Sequence, residues 1–361
     1  MVSRFLLDHR QAALSEWVVA QLQQFGLYQK GFDAALASVS GDASFRRYFR
    51  TTEVSPGCSL IAVDAPADKE NSRPFVAIAR AWLNNGVHVP EVLAADFEQG
   101  FMLLSDLGDT LYLPLLTKHA DTLYQAALTE LVNIQQSAAP HDYVLPAYGA
   151  SKLREEMVLC PDWFFTQLLG LQLSETDLVR LNSVFDRLVD SALAQPQVCV
   201  HRDYHSRNLM VVGDIESGFD VGVLDFQDAV VGPVTYDVVS LLRDCYVSWT
   251  DENEEKWLGD YLQLALINNL WPHNQVPDYD TFKCWFDWMG LQRHIKCVGI
   301  FSRLYLRDGK NGYLKDIPRT FAYLKKVCEQ YSEFAEFNHW LDEVVVPAMQ
   351  DCEALTPAAP A

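Results

Sequence analysis

The sequence predicts an α+β fold in two lobes, a small antiparallel five-stranded lobe followed by a larger, mostly helical one. Three observations predict it. Short β-prone runs crowd between residues 34 and 106, apolar positions recur at helical spacing almost everywhere beyond residue 110, and the segment Leu104-Ser105-Asp106-Leu107-Gly108-Asp109 separates the two textures. A chain of 361 residues can hold two lobes with sizeable cores.

Taken in order, Ala12, Ala13, Trp17, Val18, Ala20 and Leu22 mark a helix over 9–25. Strands are expected at 34–40, 45–51, 59–65, 92–97 and 101–104. One helical pattern at 75–83 interrupts them and stops at Asn85-Gly86. Helices then follow over 120–138, 151–170, 174–194, 234–248, 252–268, 279–307, 314–335 and 338–352. The β-type exception is 198–225. The resulting division is an amino-terminal lobe over 1–104, a hinge over 105–109, a helical lobe over 110–353, and a disordered tail over 354–361 that carries two prolines.

Composition narrows the function. Apolar residues make up 49% of the chain and the mean hydropathy is −0.03, as expected of a globular protein in water. A net charge of −20 argues against a nucleic-acid binder, which needs a basic patch. The clearest acidic run, Asp251-Glu252-Asn253-Glu254-Glu255, reads as the solvated first turn of a helix. Eight cysteines are scattered with no CxxC pair, as reduced core thiols are. No signal sequence and no bilayer-length apolar stretch is present, so a cytoplasmic, membrane-independent monomer is expected.

The chemistry is concentrated in residues 198–228. His201-Arg202-Asp203 is followed by Asn208 five positions after the aspartate, then by Asp225-Phe226 at the end of an apolar run. Phosphoryl transfer from a nucleotide needs this set. One carboxylate accepts the proton of the attacking hydroxyl, while an amide and a second carboxylate hold the magnesium ions that bridge the phosphates. Asp203 fits the first role, and Asn208 and Asp225 fit the metal roles. Residues 209–212 and 221–224 flank a Gly213–Gly218 turn, and a hairpin there sets Asn208 and Asp225 side by side. The bland alternative is that these are loop residues satisfying turn amides.

These motifs, in this order, resemble the aminoglycoside phosphotransferase/choline kinase branch of the protein-kinase-like superfamily. The narrower likeness is to the anomeric N-acetylmuramate/N-acetylglucosamine kinases of bacterial peptidoglycan recycling. It is carried by Gly41 to Arg50, Val63-Asp64-Ala65-Pro66, Leu104 to Gly108, His201 to Asn208, Leu224 to Asp228, Gly232-Pro233, Tyr236-Asp237 and Arg303 to Lys310. The resemblance implies a protein-kinase-like bilobal fold, ATP and Mg2+ as cofactors, and a small amino sugar as phosphate acceptor. An aminoglycoside, choline or homoserine kinase and a nucleotide-binding pseudokinase are the alternatives.

On the nucleotide side, Ser40, Gly41 and Ser44 lie where a phosphate-covering loop is expected, and Ser105, Asp106 and Leu107 where a hinge offers backbone groups to adenine. The Asp106 side chain itself is expected to cap the next helix instead. Protein kinases place a lysine at the fourth position of the strand that reads Ile61-Ala62-Val63-Asp64 here, so an aspartate replaces it. Period 2 sets Phe45, Arg47 and Phe49 on one face and Arg46, Tyr48 and Arg50 on the other. Arg47 either takes over phosphate contact, with Lys69 in reserve, or pairs with Asp64.

On the acceptor side, His201 is expected to brace the loop, Arg202 to pair with a carboxylate, and Asp237 to cap the loop structurally. The span from Asp225 to Asp237 is too short for an activation segment, which favours a small acceptor over a protein. The basic run Gln292 to Lys296, continuing to Arg303, Arg307 and Lys310, favours an anionic or neutral sugar over a polycation. His205, Arg207, Gln227, Arg303 and Arg307 are the candidate acceptor contacts, and Trp285, Trp288 and Tyr305 either stack on a sugar or fill the core.

Overall fold

The computed structural model describes residues 2–27, 35–41, 45–55, 57–137, 139–270 and 276–355, which form two compact units. The first holds residues 1–111, 137–145 and 208–228, and the second holds 112–136, 146–207 and 229–361.

In the first unit, α1 (Val2–Gln24) precedes a sheet of β1 (Ala37–Gly41), β2 (Arg47–Arg50), β3 (Leu60–Asp64), β4 (Val92–Asp96) and β5 (Phe101–Ser105), in spatial order β1-β2-β3-β5-β4. Every pairing is antiparallel, with Arg47 opposite Asp64 and Asp64 opposite Phe101. Alternation puts Phe49, Leu60, Ala62, Phe101 and Leu103 into one core with Leu14, Val18 and Leu22 of α1. The helix α2 (Arg73–Asn84) buries Phe75, Ile78 and Trp82. Two of these rings, Phe75 and Trp82, meet Phe226 at 4.6 and 5.6 Å between centroids. Burying Phe226 fully contributes roughly 2–3 kcal/mol and fixes the residue after Asp225.

The same unit contains the hairpin β7 (Leu209–Asp214) with β8 (Gly218–Val223), paired from Leu209–Val223 to Asp214–Gly218. Asp214 closes its turn by accepting the Glu216 and Ser217 amides, each at 2.9 Å.

The second unit is helical around one strand pair. It comprises α3 (Tyr112–Gln135), α4 (Ala150–Leu159), α5 (Glu175–Ala194), β6 (Gln197–Val200) paired with β9 (Val230–Pro233), α6 (Tyr236–Leu242), α7 (Asp251–Ile267), α8 (Tyr279–Leu306), α9 (Ile317–Gln330), α10 (Ala335–Trp340) and α11 (Val346–Asp351). Ser174 and Asp177 form a capping box at α5, and Thr250 and Asp278 cap α7 and α8. The helix α8 packs against α4, α5, α6 and α9, which is why Gln292, Arg293, His294 and Lys296 in its middle are buried. No helix among the described residues is long and apolar enough to cross a membrane.

Several local expectations change. The helix expected over 234–248 ends at Leu242, because Arg243 leaves helical geometry and Asp244 turns inward to accept hydrogen bonds. The pattern over 151–170 continues past Leu159 in wider π-type turns, and the one beginning at 314 opens with a 3-10 turn over Asn311–Asp316. Phe45 precedes the strand and is exposed, whereas Arg46 is buried, so the alternation expected for β2 holds only from Arg47 onward. Glu254 is not solvated but buried against Arg243. Ala354 and Leu355 belong to a closing 3-10 turn, and the tail beyond them lies outside the described residues.

A glycine sets the closest helix approach. A Cβ on Gly299 of α8 would sit 2.4 Å from the Leu159 carbonyl carbon, so only a hydrogen fits where α8 crosses the end of α4. Gly259 in α7 has open space around it. Gly299→Ala is expected to cost on the order of 3 kcal/mol in denaturant unfolding. Gly259→Ala should be neutral or stabilise by up to about 1 kcal/mol.

Candidate active site

The loop after β6 is built by two buried carboxylates. Asp237, in the first turn of α6, accepts the His201 amide at 2.6 Å and the Arg202 amide at 3.0 Å. Asp244, just past α6, accepts the Ser206 amide at 3.1 Å and the Ser206 hydroxyl. Both carboxylates are fully buried. Between them the buried His201 ring accepts the Asp203 amide on Nδ1 at 3.2 Å, and the Tyr204 hydroxyl donates to the Ala127 carbonyl at 2.8 Å. The expected bracing role of His201 and capping role of Asp237 are therefore visible. Arg202 adopts φ +79°, a left-handed conformation costly for a side chain.

Charge is placed around Asp203 by α4 and α8. Arg202 finds its carboxylate in Glu156 of α4, which also accepts the Tyr148 hydroxyl. Lys296 of α8 lies 3.2 Å from Glu156 and donates to the Tyr236 hydroxyl at 2.9 Å. Burial alone would raise the Asp203 carboxyl. The positive charges of Lys296, Arg202 and Arg293, with His205 when protonated, outweigh it and bring the group down to about 2. Asp237 moves the other way, raised by burial to about 6. Asp203 is thus held as a carboxylate at neutral pH, able to accept a hydrogen bond.

In the first unit the hairpin brings Asn208 and Asp225 together. The Asn208 amide donates to Asp225 Oδ2 at 3.5 Å, the Leu224 amide donates to the Asn208 carbonyl at 2.9 Å, and Asp225 takes φ +63°. Gln227 donates to Asp225 Oδ1 at 2.7 Å, so it lies beside the metal candidates. A carboxylate and an amide fit Mg2+, which takes few side-chain oxygens and completes its shell with water and phosphate. No group of three or more His, Cys, Asp or Glu able to hold a metal occurs among the described residues.

Other sequence candidates fall as follows. Ser44 lies outside the described residues, and Ser40 and Gly41 end β1. Arg47 is paired with Asp64, with its Nε 3.1 Å from Oδ2, and Arg10 of α1 binds the other oxygen at 2.9 Å. Ser105 accepts the Glu91 amide on its hydroxyl at 2.8 Å. Asp106 caps no helix. It accepts from Arg50, from the Ser59 hydroxyl at 2.6 Å and from the Gly108 amide at 2.9 Å, and Leu107 lies inside that turn. Arg207 lies 3.5 Å from the Tyr246 ring centroid, and His205 meets the same ring edge-on at 5.3 Å. Arg307 is exposed and paired with Asp308 at 2.7 Å, and Arg303 is one turn away at the same end of α8. Trp288 packs on Phe334 and Tyr331 as core.

Sequence reasoning missed Glu156 and Asp244. Among the cations of α8 it favoured Arg303 and Arg307, whereas those acting on Asp203 are Lys296 and Arg293. The available signal was their position inside an apolar helical run, where a charge needs a partner.

Lys296→Met removes the cation that does most to lower Asp203. Burial then counts for more, so the Asp203 pKa rises and the acid limb of the kcat–pH profile moves to higher pH. An unmoved limb would assign it to another group.

Comparison with known proteins completes the description. The profile described as "Phosphotransferase enzyme family" matches residues 35–280. The chain is 42% identical over 341 residues to a protein of Pseudomonas putida named N-acetylmuramate/N-acetylglucosamine kinase, covering 93% of this chain and 97% of that one. It is 44% identical over 322 residues to the Pseudomonas aeruginosa protein of the same name, covering 89% and 90%. A solved choline/ethanolamine kinase family protein from Mesorhizobium loti matches with a TM-score of 0.57 at 14% identity, covering 86% and 92%, and so shares the fold. The chain is an ATP-dependent phosphotransferase of the phosphotransferase enzyme family.

Proposed function

We propose that the chain is a Mg2+-dependent kinase that transfers the terminal phosphate of ATP to the anomeric hydroxyl of N-acetylmuramate and N-acetylglucosamine, in the recycling of peptidoglycan. The observation that carries the reading is an Asp203 kept ionised by buried cations within a loop clamped at both ends, in a chain with relatives of that name. Asp203 takes the proton of the acceptor hydroxyl and orients its oxygen toward the phosphorus. Asn208 and Asp225 would hold Mg2+, which when bound neutralises charge on the bridging phosphates. Ser40, Gly41, Ser44 and the Ser105 to Leu107 turn are assigned to the nucleotide. This reading places the reaction in the cytoplasm, with ATP and a small amino sugar as partners, and treats the chain as a monomer that needs neither nucleic acid nor membrane.

One cation distinguishes the two sugars. Arg293 is buried and forms no ion pair among the described residues. Its Nη1 reaches the Cys245 sulfur at 3.6 Å and its Nε has no partner. A buried guanidinium with no carboxylate in direct contact can take one, and the lactyl carboxylate of N-acetylmuramate supplies it.

An ADP-release assay against N-acetylmuramate, N-acetylglucosamine, choline and kanamycin should give turnover on the two amino sugars, and Asp203→Asn should lower kcat about 10²–10⁴-fold. Turnover of choline or kanamycin alone would overturn the reading. Arg293→Met should raise KM for N-acetylmuramate about tenfold or more while leaving that for N-acetylglucosamine near wild type. An equal rise for both would assign Arg293 to support of the loop.

A further inference from the structure

At the amino end of α2, Lys69, Glu70, Ser72, Arg73, Phe97 and Gly100 line a cavity of about 380 Å³. Its floor is ordered, since the Lys69 and Glu70 amides both donate to the Pro66 carbonyl at 2.9 Å, and the Ala65 amide donates to that of Gly100 at 2.8 Å. Two of its side chains are cations that form no ion pair among the described residues. Lys69 Nζ lies 4.4 Å from the Phe45 ring centroid, and the Arg73 guanidinium lies 4.5 Å from that of Phe97. The carboxylate in the lining is already engaged, because Glu70 accepts the Phe45 amide at 3.0 Å and lies 3.3 Å from Arg46. In a chain of net charge −20, a cavity with two uncompensated cations runs against the global field.

Ser72 is the independent pointer to a ligand. It is 5% exposed, it stands at the N-cap of α2, and its hydroxyl caps nothing and has no hydrogen-bond partner. A serine at this position normally accepts the amide of the second or third helical residue; Pro74 removes the second, and Ser72, held in helical rather than extended geometry, makes no cap bond to the third. The first turn contains no acidic residue, but the Asn71 side-chain oxygen accepts the Arg73 amide at 3.1 Å and Pro74 has no N–H, so the ligand-facing donors here are side chains and not the helix end. A buried hydroxyl donor and two cations lining one cavity match a phosphate group.

We propose that Lys69, Ser72 and Arg73 form a phosphate-binding pocket at the start of α2. The pocket lies at the sheet end marked by Arg47, Asp64 and Phe101, where β1 also ends, and Lys69 and Glu70 both touch Phe45 beyond the expected phosphate loop. The phosphate comes from one of two sources, the phosphate chain of the donor nucleotide or a separate phosphorylated small molecule. The inference deepens the kinase reading and rests on it only in counting the nucleotide as a source.

The test compares wild type, Ser72→Ala and Lys69→Gln/Arg73→Gln by calorimetric titration with ADP, adenosine, inorganic phosphate and an N-acetylhexosamine 1-phosphate. Unliganded melting is measured alongside, and sugar turnover is assayed separately. The double variant should lose tenfold or more in affinity for a phosphorylated ligand and retain that for adenosine. Ser72→Ala should keep or raise the unliganded Tm while lowering the ligand-induced shift, which a purely structural serine would not do. Loss confined to ADP identifies the nucleotide as the source, whereas loss of phosphate or sugar phosphate with ADP unchanged identifies a separate ligand. Affinities within twofold of wild type for every ligand overturn the proposal even if sugar turnover is normal. A lost phosphate affinity in a chain that turns over no sugar would leave the pocket standing and remove the sugar-kinase reading.

Discussion

The loop that carries Asp203 depends on carboxylates that are buried so as to receive backbone amides. Asp237 takes the two amides before Asp203, and Asp244 takes the Ser206 amide after it. Asp237 lies in the first turn of the short helix α6 and Asp244 just past its end, so one short element fixes the loop on either side of Asp203. The left-handed Arg202 between them costs on the order of 1–3 kcal/mol and persists because its surroundings over-determine it. Without these acceptors, two or three buried amides would be left unsatisfied, each at about 1–3 kcal/mol. The strain and the clamp are therefore two aspects of one arrangement.

Charge around the loop follows from the same packing. Gly299 lets α8 approach α4 closely, and one turn before it on each helix sit Lys296 and Glu156. Glu156 joins Arg202 and Lys296 and takes the Tyr148 hydroxyl, so each buried charge has a partner. A second buried group, Arg243 with Glu254 and Asp287, ties α7 and α8 below α6. Buried ion pairs rarely add net stability. What Lys296 and Arg202 supply here, with Arg293, is positive potential at Asp203, which keeps a burial-prone carboxylate ionised.

Much of this was legible in the sequence where the signal was local. The spacing of His201, Asp203, Asn208 and Asp225 gave the hairpin and its paired ends, because side-chain alternation and a Gly213–Gly218 turn leave one register. The five strands and the helix between them were legible for the same reason. Glu156 and Asp244 were not, because what distinguishes them is a partner far along the chain. Arg303 and Arg307 continue the basic run of α8, yet they lie at the end of that helix, and Arg307 pairs with its neighbour Asp308. Asp106 looked like a helix cap from its position alone. Arg50 from β2, which outbids a cap, cannot be read from the local sequence.

The aspartate in β3 shows how one residue redistributes a site. Asp64 is fully buried, so its charge cannot stay uncompensated, and Arg47 from β2 and Arg10 from α1 converge on it. Those guanidiniums are consequently committed to the sheet. Lys69 and Arg73 are the first cations after Asp64, and neither is paired with a carboxylate among the described residues. Reversing the charge at one strand position thus moves the available positive charge forward along the chain, from the sheet to the amino end of the helix that follows it.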